Sequence, residues 1–219
     1  MIDITLLKDS IPFLIRGSII TLEIGALSCS IGVIIGIIGG LFLQSSSFIF
    51  RALMHIYTTI FRGTPMLIQI IVAVLVVPQL GIPVSRFWGV VIAIGLNSGA
   101  YMAHIIKAGI SSVSKGQKEA AKTLGLNNYQ IIRFIILPQA IRIALPALGN
   151  EFITLVKDSS LASIVGVQEL TKEAQIIESR TFDALTTYLG VALCYLIITS
   201  FLSLLISFIE RKINHHVIN

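Results

Sequence analysis

Long stretches without a charged residue constrain this sequence more than any other feature. No Asp, Glu, Lys or Arg occurs in residues 24–50, 63–85, 87–103 or 184–209. About 20 apolar residues suffice for a helix to cross the hydrocarbon core of a bilayer. With 55% hydrophobic residues, 12% charged residues and a mean hydropathy of +0.91, the chain is predicted to be an integral membrane protein. Its formal charge of +5 is spread around the predicted spans, so we expect a membrane-lipid environment and no nucleic-acid partner.

The predicted fold class is all-α. Alternating ten-residue segments, which mark a membrane β-barrel, are absent, and helices satisfy their backbone groups internally. We place five spans at about 17–43, 50–77, 86–107, 147–167 and 184–209, within one membrane domain covering 1–219. The fourth span begins at about 133 or about 147, and Pro138 and Pro146 favour the later start because proline disfavours a continuous helix. A sixth crossing at 2–20 is disfavoured by its charges, and no removable signal peptide is expected.

Basic residues predict the orientation. With five spans and an outside N-terminus, the inner face receives more Lys and Arg than the outer face, as the positive-inside tendency requires. The inner set comprises Arg51, Lys107, Lys115, Lys118, Lys122, Arg133, Arg211 and Lys212. The loop at about 111–140 and the C-terminus are therefore predicted to be cytoplasmic, with His215 and His216 in a solvated tail.

The cytoplasmic loop has an unusual pattern for a chain that is otherwise so apolar. Residues 115–124 favour a short helix, and Gly125 suits a helix C-terminus where a positive φ is needed. Asn127 and Asn128 can then cap a second helix. A solvated loop is the alternative interpretation from composition alone. Small alanines and nearby charges instead suit close contact with another protein.

The spacing in this loop resembles the E-A-A-x3-G-x9-I-x-L-P signature of permease subunits in ATP-binding-cassette (ABC) importers. The matching residues are Glu119, Ala120, Ala121, Gly125, Ile135, Leu137 and Pro138. The resemblance implies the type I ABC importer permease fold, in which this loop is a coupling helix that docks on an ATPase subunit. The chain has no G-x-x-x-x-G-K-[ST] motif, so we expect no catalytic residues and no cofactor here, with ATP and Mg²⁺ held by a separate ATPase dimer.

Further motifs resemble the polar amino-acid branch of these permeases. They are FRGTPMLIQ at 61–69, NSGAYMAHIIKAGISSVSKGQKEAAKTLGL from Asn97, ILPQAIRIALPALGNEFITLVKDSSLASIVGVQEL ending at Leu170, and a closing FIERK. The branch implies an extracytoplasmic solute-binding protein, a second permease subunit (identical or homologous) and the bacterial cytoplasmic (inner) membrane. Glutamine or a related neutral amino acid, or a basic one, is the expected cargo. His104 departs from the family pattern, which commonly has glutamate there.

Polar groups at membrane depth are candidates for the substrate path because their burial is costly unless they are paired or hydrated. Asn97 and Ser98 fall at the middle of the third span, where helix packing is the alternative role. Asp158 is a candidate acceptor for a substrate ammonium group, although it and Lys157 can instead pair with other charges. Arg62 precedes a helix-breaking Gly-Thr-Pro, and its expected role is to hold that break, to gate the path or to pair with Glu23.

Two other functions compete with the importer interpretation. An ion-coupled secondary carrier is disfavoured because we find no internal repeat with paired broken helices. A non-transporting scaffold or enzyme subunit would not need the coupling signature. No Ser-His-Asp set or metal-ligand cluster is predicted, since the histidines are too scattered.

Overall fold

Residues 2–215 are described by the computed structural model, and over this range the chain is helical without β-strands. The helices are α1 (Ile4–Leu43), α2 (Phe48–Gly63), α3 (Met66–Leu80), α4 (Arg86–Ser111), α5 (Lys115–Thr123), α6 (Asn128–Val165), α7 (Leu170–Thr181) and α8 (Ala184–His215). Among the described residues, α1, α4, α6 and α8 are long and apolar enough to cross a membrane. Helices α2 and α3 meet at a bend of 101°, and they make a fifth candidate crossing when the pair is counted as one span. The tail predicted at His216 lies outside the described residues.

Helices α1 and α4 form the central pair of the bundle, and α1 uses glycines to bring the two backbones together. A Cβ placed on Gly36 would lie 2.6 Å from the Cβ of Met102, and one on Gly32 would lie 3.0 Å from the hydroxyl of Ser98. Side chains therefore cannot be added on this face of α1 without separating the helices. This contact fixes α4, whose middle carries the predicted polar pair.

Helix α1 is longer than the predicted first span and begins at Ile4. The carboxylate of Asp3 starts it by accepting hydrogen bonds from the backbone N–H groups of Thr5 (2.8 Å) and Leu6 (3.1 Å). The backbone N–H of Asp3 donates to the hydroxyl of Thr186 at 3.0 Å. The first residues of α1 and of α8 thus lie at the same end of the bundle.

Helix α6 continues through both prolines, so the expected break at Pro138 and Pro146 is wrong. The reason lies in the turn before Pro138, because residues Ile131–Ile136 form a π-helical turn. Pro138 follows it as the second residue of the α-helical stretch Leu137–Asp158, where the missing proline N–H is tolerated. A single helical path therefore joins the loop segment to the far end of the bundle. The membrane boundaries along it stay a prediction.

Candidate functional site

The bent crossing places irregular backbone in the middle of the bundle. Helix α2 ends at Gly63, Thr64 and Pro65 are extended, and α3 begins at Met66. This confirms the helix break predicted at the Arg-Gly-Thr-Pro motif. Such a break exposes backbone carbonyls that need donors, and at membrane depth it is tolerated only against protein or water.

Side chains from three elements provide those donors. The hydroxyl of Thr64 donates to the carbonyl of Ile60 at 2.9 Å, and the amide of Gln69 donates to the carbonyl of Phe61 at 2.9 Å. The Nδ2 group of Asn97 on α4 donates to the same Phe61 carbonyl at 2.8 Å and to Oε1 of Gln69 at 3.0 Å. Both hydrogens of the Asn97 amide thus hold the bend in place.

A cavity of about 410 Å³ opens beside this bend. It is lined by residues of the break, of α4 and of α6: Thr64, Pro65, Met66, Asn97, Tyr101, Glu151, Thr154 and Asp158. The volume falls within the roughly 300–1,000 Å³ of small-molecule sites. Two of the predicted path residues, Asn97 and Asp158, therefore meet at one cavity although they come from different helices.

Ser98 lies behind the cavity wall and is fully buried. Its hydroxyl donates to Oε1 of Glu151 at 3.1 Å, and Glu151 does line the cavity. In this arrangement Ser98 orients the carboxylate of Glu151 and does not itself reach the cavity. The donors of both predicted polar residues, Asn97 and Ser98, are engaged with protein groups.

Arg62 sits at the edge of the same site. Its guanidinium carbon lies 5.0 Å from the centre of the Tyr101 ring, in a cation–π contact. Tyr101 lines the cavity, so this contact brings the charge of Arg62 next to the cavity. The sequence left open whether Arg62 gates the path or pairs with Glu23, and the structure gives it Tyr101 as its neighbour.

Sequence reasoning missed part of the lining. Glu151 was expected, with Asp158, to offer anionic contacts to a basic cargo, but Tyr101 and Thr154 were not predicted to line the path, although their spacing carries a signal. Tyr101 follows Asn97 by four residues and Asp158 follows Glu151 by seven, which are spacings that share a helix face. The residues that share a helix face with Asn97 and Asp158 therefore include the missed lining residues.

The loop segment has the geometry expected of a rigid docking element. Helix α5 ends at Thr123, and Gly125 follows with a φ of +80°. The backbone N–H of Leu126 donates to the carbonyl of Ala121 at 3.1 Å, and that of Gly125 donates to the carbonyl of Lys122 at 2.9 Å. These two bonds define a Schellman C-cap, and they confirm the positive φ predicted at Gly125.

The second half of the segment is equally well defined. Asn127 caps α6 through a capping box with Gln130, as predicted, with reciprocal bonds of 2.9 Å each. A cavity of about 240 Å³ lies between α5 and the start of α6. Ala121 is buried there, whereas Glu119, Ala120, Leu137 and Pro138 are exposed, so most of the signature residues are available to a partner.

Comparison with known proteins identifies the class of this chain. The family described as binding-protein-dependent transport system inner membrane component matches residues 32–215, so the chain belongs to this family. It is a permease subunit of an ABC transporter, a multi-pass inner-membrane protein and a transport component, not an enzyme. Family membership decides against the carrier and scaffold alternatives.

Relatives and solved structures agree over nearly the whole chain. The putative glutamine transport system permease protein GlnP of Rickettsia bellii (strain RML369-C) is 38% identical over 94% of this chain and 95% of its own length. The arginine transport system permease protein ArtQ of Bacillus subtilis (strain 168) is 36% identical, covering 97% of each chain. A chain in a crystal structure of an amino acid ABC transporter with histidines is 38% identical, with a TM-score of 0.90 over 97% of this chain and 99% of that one.

The fold also matches a more distant transporter. A chain of the inward-facing MetNI methionine ABC transporter has a TM-score of 0.79 at 20% identity, covering 94% of this chain and 98% of that chain. This likeness concerns the fold alone. Within residues 2–215, no three His, Cys, Asp or Glu side chains come close enough to hold a metal ion.

Proposed function

We propose that this chain moves a polar amino acid, either glutamine or a related neutral one or a basic one, through the cavity beside the α2–α3 bend into the cytoplasm. The observation that carries the proposal is the composition of the cavity. Two carboxylates, Glu151 and Asp158, line it, and Arg62 stands at its edge. A zwitterion needs an acceptor for its ammonium and donors for its carboxylate, and a cavity with both kinds of charge suits it.

Each path residue then has a distinct role. Asp158 accepts from the substrate ammonium, Ser98 orients Glu151 for the same purpose, and Asn97 positions the bend whose residues form the opposite wall. The relatives named for glutamine and arginine transport support a polar amino acid as the cargo. The two candidate cargoes differ in side-chain charge but share the ammonium and carboxylate that the cavity residues would contact.

The motor for this transport is proposed to be a separate ATPase dimer that binds ATP and Mg²⁺. The segment from α5 to Pro138 is its docking element, with Glu119, Ala120, Ala121, Gly125, Leu137 and Pro138 as the coupling residues. Support comes from the capped, exposed geometry of α5. An extracytoplasmic solute-binding protein delivers the cargo, and a second permease subunit completes the path.

Substitution of Asp158 by asparagine tests the substrate role. In proteoliposomes containing the complete transporter with ATP and its binding protein, Asp158→Asn should lower uptake of the radiolabelled amino acid by about tenfold or more, because a charge-assisted hydrogen bond is lost. Asp183→Asn is the matched control: Asp183 caps α8 from an exposed turn, and asparagine caps equally well. Uptake and selectivity that survive intact in Asp158→Asn would contradict the proposed site.

A further inference from the structure

A row of cationic and histidine side chains leads from the cavity toward one end of the bundle. On α2, His55, Thr59 and Arg62 follow each other at helical spacing and are exposed. The neighbouring face of α2 exposes apolar residues such as Leu53 (59%) and Ile56 (58%), which suit lipid. A polar row at membrane depth needs protein or water instead of lipid, so this face of α2 belongs to an internal surface.

Helix α4 continues the row. His104 follows Tyr101 by three residues, and Lys107 follows His104 by three, so all three side chains share one face of α4. Arg62 of α2 stacks on Tyr101, which lies one helical turn from His104 on α4. The two helices therefore contribute to a single basic strip, which we define as His55, Arg62, His104 and Lys107.

The strip has a direction. At one end, Arg62 stacks on Tyr101 at the cavity. At the other end, the carbonyl of Lys107 accepts a hydrogen bond of 2.9 Å from Gln44, directly after α1 ends. That end of the bundle also carries α5, the predicted cytoplasmic docking element. A molecule that leaves the cavity in this direction passes the basic strip.

The strip lacks internal partners. Across residues 2–215, none of the side-chain nitrogens of Arg62, His104 and Lys107 donates a hydrogen bond to a protein group. The stacking of Arg62 on Tyr101 uses the face of the guanidinium and leaves its in-plane N–H donors free, and these match a carboxylate bidentately. The acidic residues lie on the other side of the cavity, on α6, with Asp158 about two turns beyond Glu151 toward the outer end of the helix.

We infer that Arg62 and His104 form a carboxylate subsite, so that an amino acid sits in the cavity with its ammonium toward Glu151 and Asp158 and its carboxylate toward the basic strip. The inference rests on the proposed function and adds an orientation to it. The subsite contacts the group that every α-amino acid has in common, so it acts on neutral and basic cargo alike. His55 and Lys107 extend the strip along the exit route, so the amino acid would leave the cavity with its carboxylate leading.

The test compares an amino acid with its carboxamide, which keeps the ammonium and the side chain but has no carboxylate. The purified permease–ATPase complex is assayed for binding of radiolabelled L-glutamine and L-arginine, and glutaminamide and argininamide compete against whichever amino acid binds. In the wild type the amide should bind about tenfold more weakly or worse, because it cannot engage Arg62 and His104. Both ligands are measured on the same sample, so a partly misfolded preparation does not change the ratio of the dissociation constant of the amide to that of the amino acid.

Variants of the subsite should alter that ratio in a defined order. Arg62→Gln should weaken binding of the amino acid about tenfold and leave binding of the amide unchanged, so that the ratio of the two dissociation constants comes close to one. His104→Glu should repel the carboxylate and make the amide the better ligand. Asp158→Asn should weaken both ligands equally, since both keep the ammonium. Ser179→Glu, which adds the same charge on exposed α7, should leave the ratio at its wild-type value.

Two results would overturn the subsite while leaving the proposed function intact: a wild type that binds the amide as tightly as the amino acid, or a ratio that is the same in Arg62→Gln and His104→Glu as in the wild type. Binding of none of a panel of polar neutral and basic L-amino acids that includes L-glutamine and L-arginine would instead contradict the proposed function, and the subsite would fall with it. The two failures are therefore distinguishable.

Discussion

Glu169 is a fully buried carboxylate away from the cavity, and it joins three helices. As the N-cap of α7, it accepts from the backbone N–H groups of Thr171 (2.9 Å) and Lys172 (2.8 Å). It also accepts from the hydroxyls of Tyr195 on α8 (2.9 Å) and Thr21 on α1 (3.3 Å). Every one of these partners is a donor, so the carboxylate suits the position because both of its oxygens are acceptors.

Glu169→Gln should therefore destabilise the protein although it preserves shape. The side-chain NH₂ group of glutamine would face donors and leave buried groups unsatisfied, at a cost of about 1–3 kcal/mol. Thermal unfolding of the detergent-solubilised transporter measures the loss. Glu178→Gln, on the same helix but only half-buried, is the control and should unfold like the wild type. Equal stability of Glu169→Gln would contradict the structural role.

The same residue predicts a pH effect with a defined sign. Burial raises the pKa of Glu169, and its hydrogen bonds offset part of the increase. The folded protein therefore binds this proton more tightly than the unfolded chain, so its contribution to stability is greatest below the usual glutamate pKa of about 4.3 and falls as pH rises through the raised value. The difference between the unfolding curves of wild type and Glu169→Gln should show this decline.

At the scale of helices and turns, the C-cap of α5 is the feature most exposed to a partner. A Cβ on Gly125 would meet no atom within 4 Å, and the residue has a positive φ. A side chain there therefore does not clash within the chain, but it would project from the proposed docking surface. Gly81, in the turn between α3 and α4, has the same properties: a φ of +83° and open space around it.

Gly125→Asp should abolish docking of the ATPase. A mild-detergent pull-down of the tagged permease should recover the ATPase at about one to one from the wild type and lose it with Gly125→Asp, because a charged side chain enters the contact surface. Gly81→Asp introduces the same backbone strain and the same charge, but it lies outside the predicted cytoplasmic segment. This variant should still recover the ATPase in the pull-down. Recovery of the ATPase with Gly125→Asp would exclude this residue from the interface.

Prolines show how far an element can be predicted from local sequence. The break at Gly63–Pro65 was predictable because glycine, threonine and proline together disfavour helix. Continuity of α6 through Pro138 was not, because it depends on the π turn that precedes the proline. The bend also depends on donors that reach its freed carbonyls. At the bend, one of those donors comes from Asn97, on a helix that is distant in sequence.

At the scale of the whole molecule, the number of crossings sets the orientation. The start of α1 and the start of α8 share one end of the bundle, and α8 ends at the other. With α2 and α3 counted as one span, this arrangement corresponds to five crossings with the termini on opposite faces. The distribution of basic residues favours an outside N-terminus and a cytoplasmic C-terminus.

Cysteine labelling in intact cells tests this orientation. In a background where Cys29 and Cys194 are replaced by alanine, a membrane-impermeant maleimide should label Ser179→Cys on α7 without permeabilisation. Lys115→Cys, at the start of α5, should react only after the membrane is opened. Both side chains are exposed in the folded chain, so burial does not decide the result. The reverse pattern would invert the topology and remove α5 from the cytoplasm.

Much of the global arrangement was predictable because charge-free runs report directly on membrane spans. The helical class and the candidate spans follow from hydropathy and composition. The cavity was only partly predictable. Asn97 and Asp158 stood out as polar residues at membrane depth, but their meeting depends on how α4 and α6 pack. The contact of Arg62 with Tyr101 depends on the bend, which sets where α2 ends.

The continuity of α6 has a consequence for chain length. Pro138, in the proposed docking segment, and the cavity residues Glu151 and Asp158 belong to one helix of 38 residues, so their angular positions around its axis are linked. Inserting a single residue between them would rotate the cavity side by about 100°, since a turn holds 3.6 residues. The carboxylates would then point away from the cavity while the docking surface stayed in place. The length of this segment is thus constrained as strictly as the residues at its two ends.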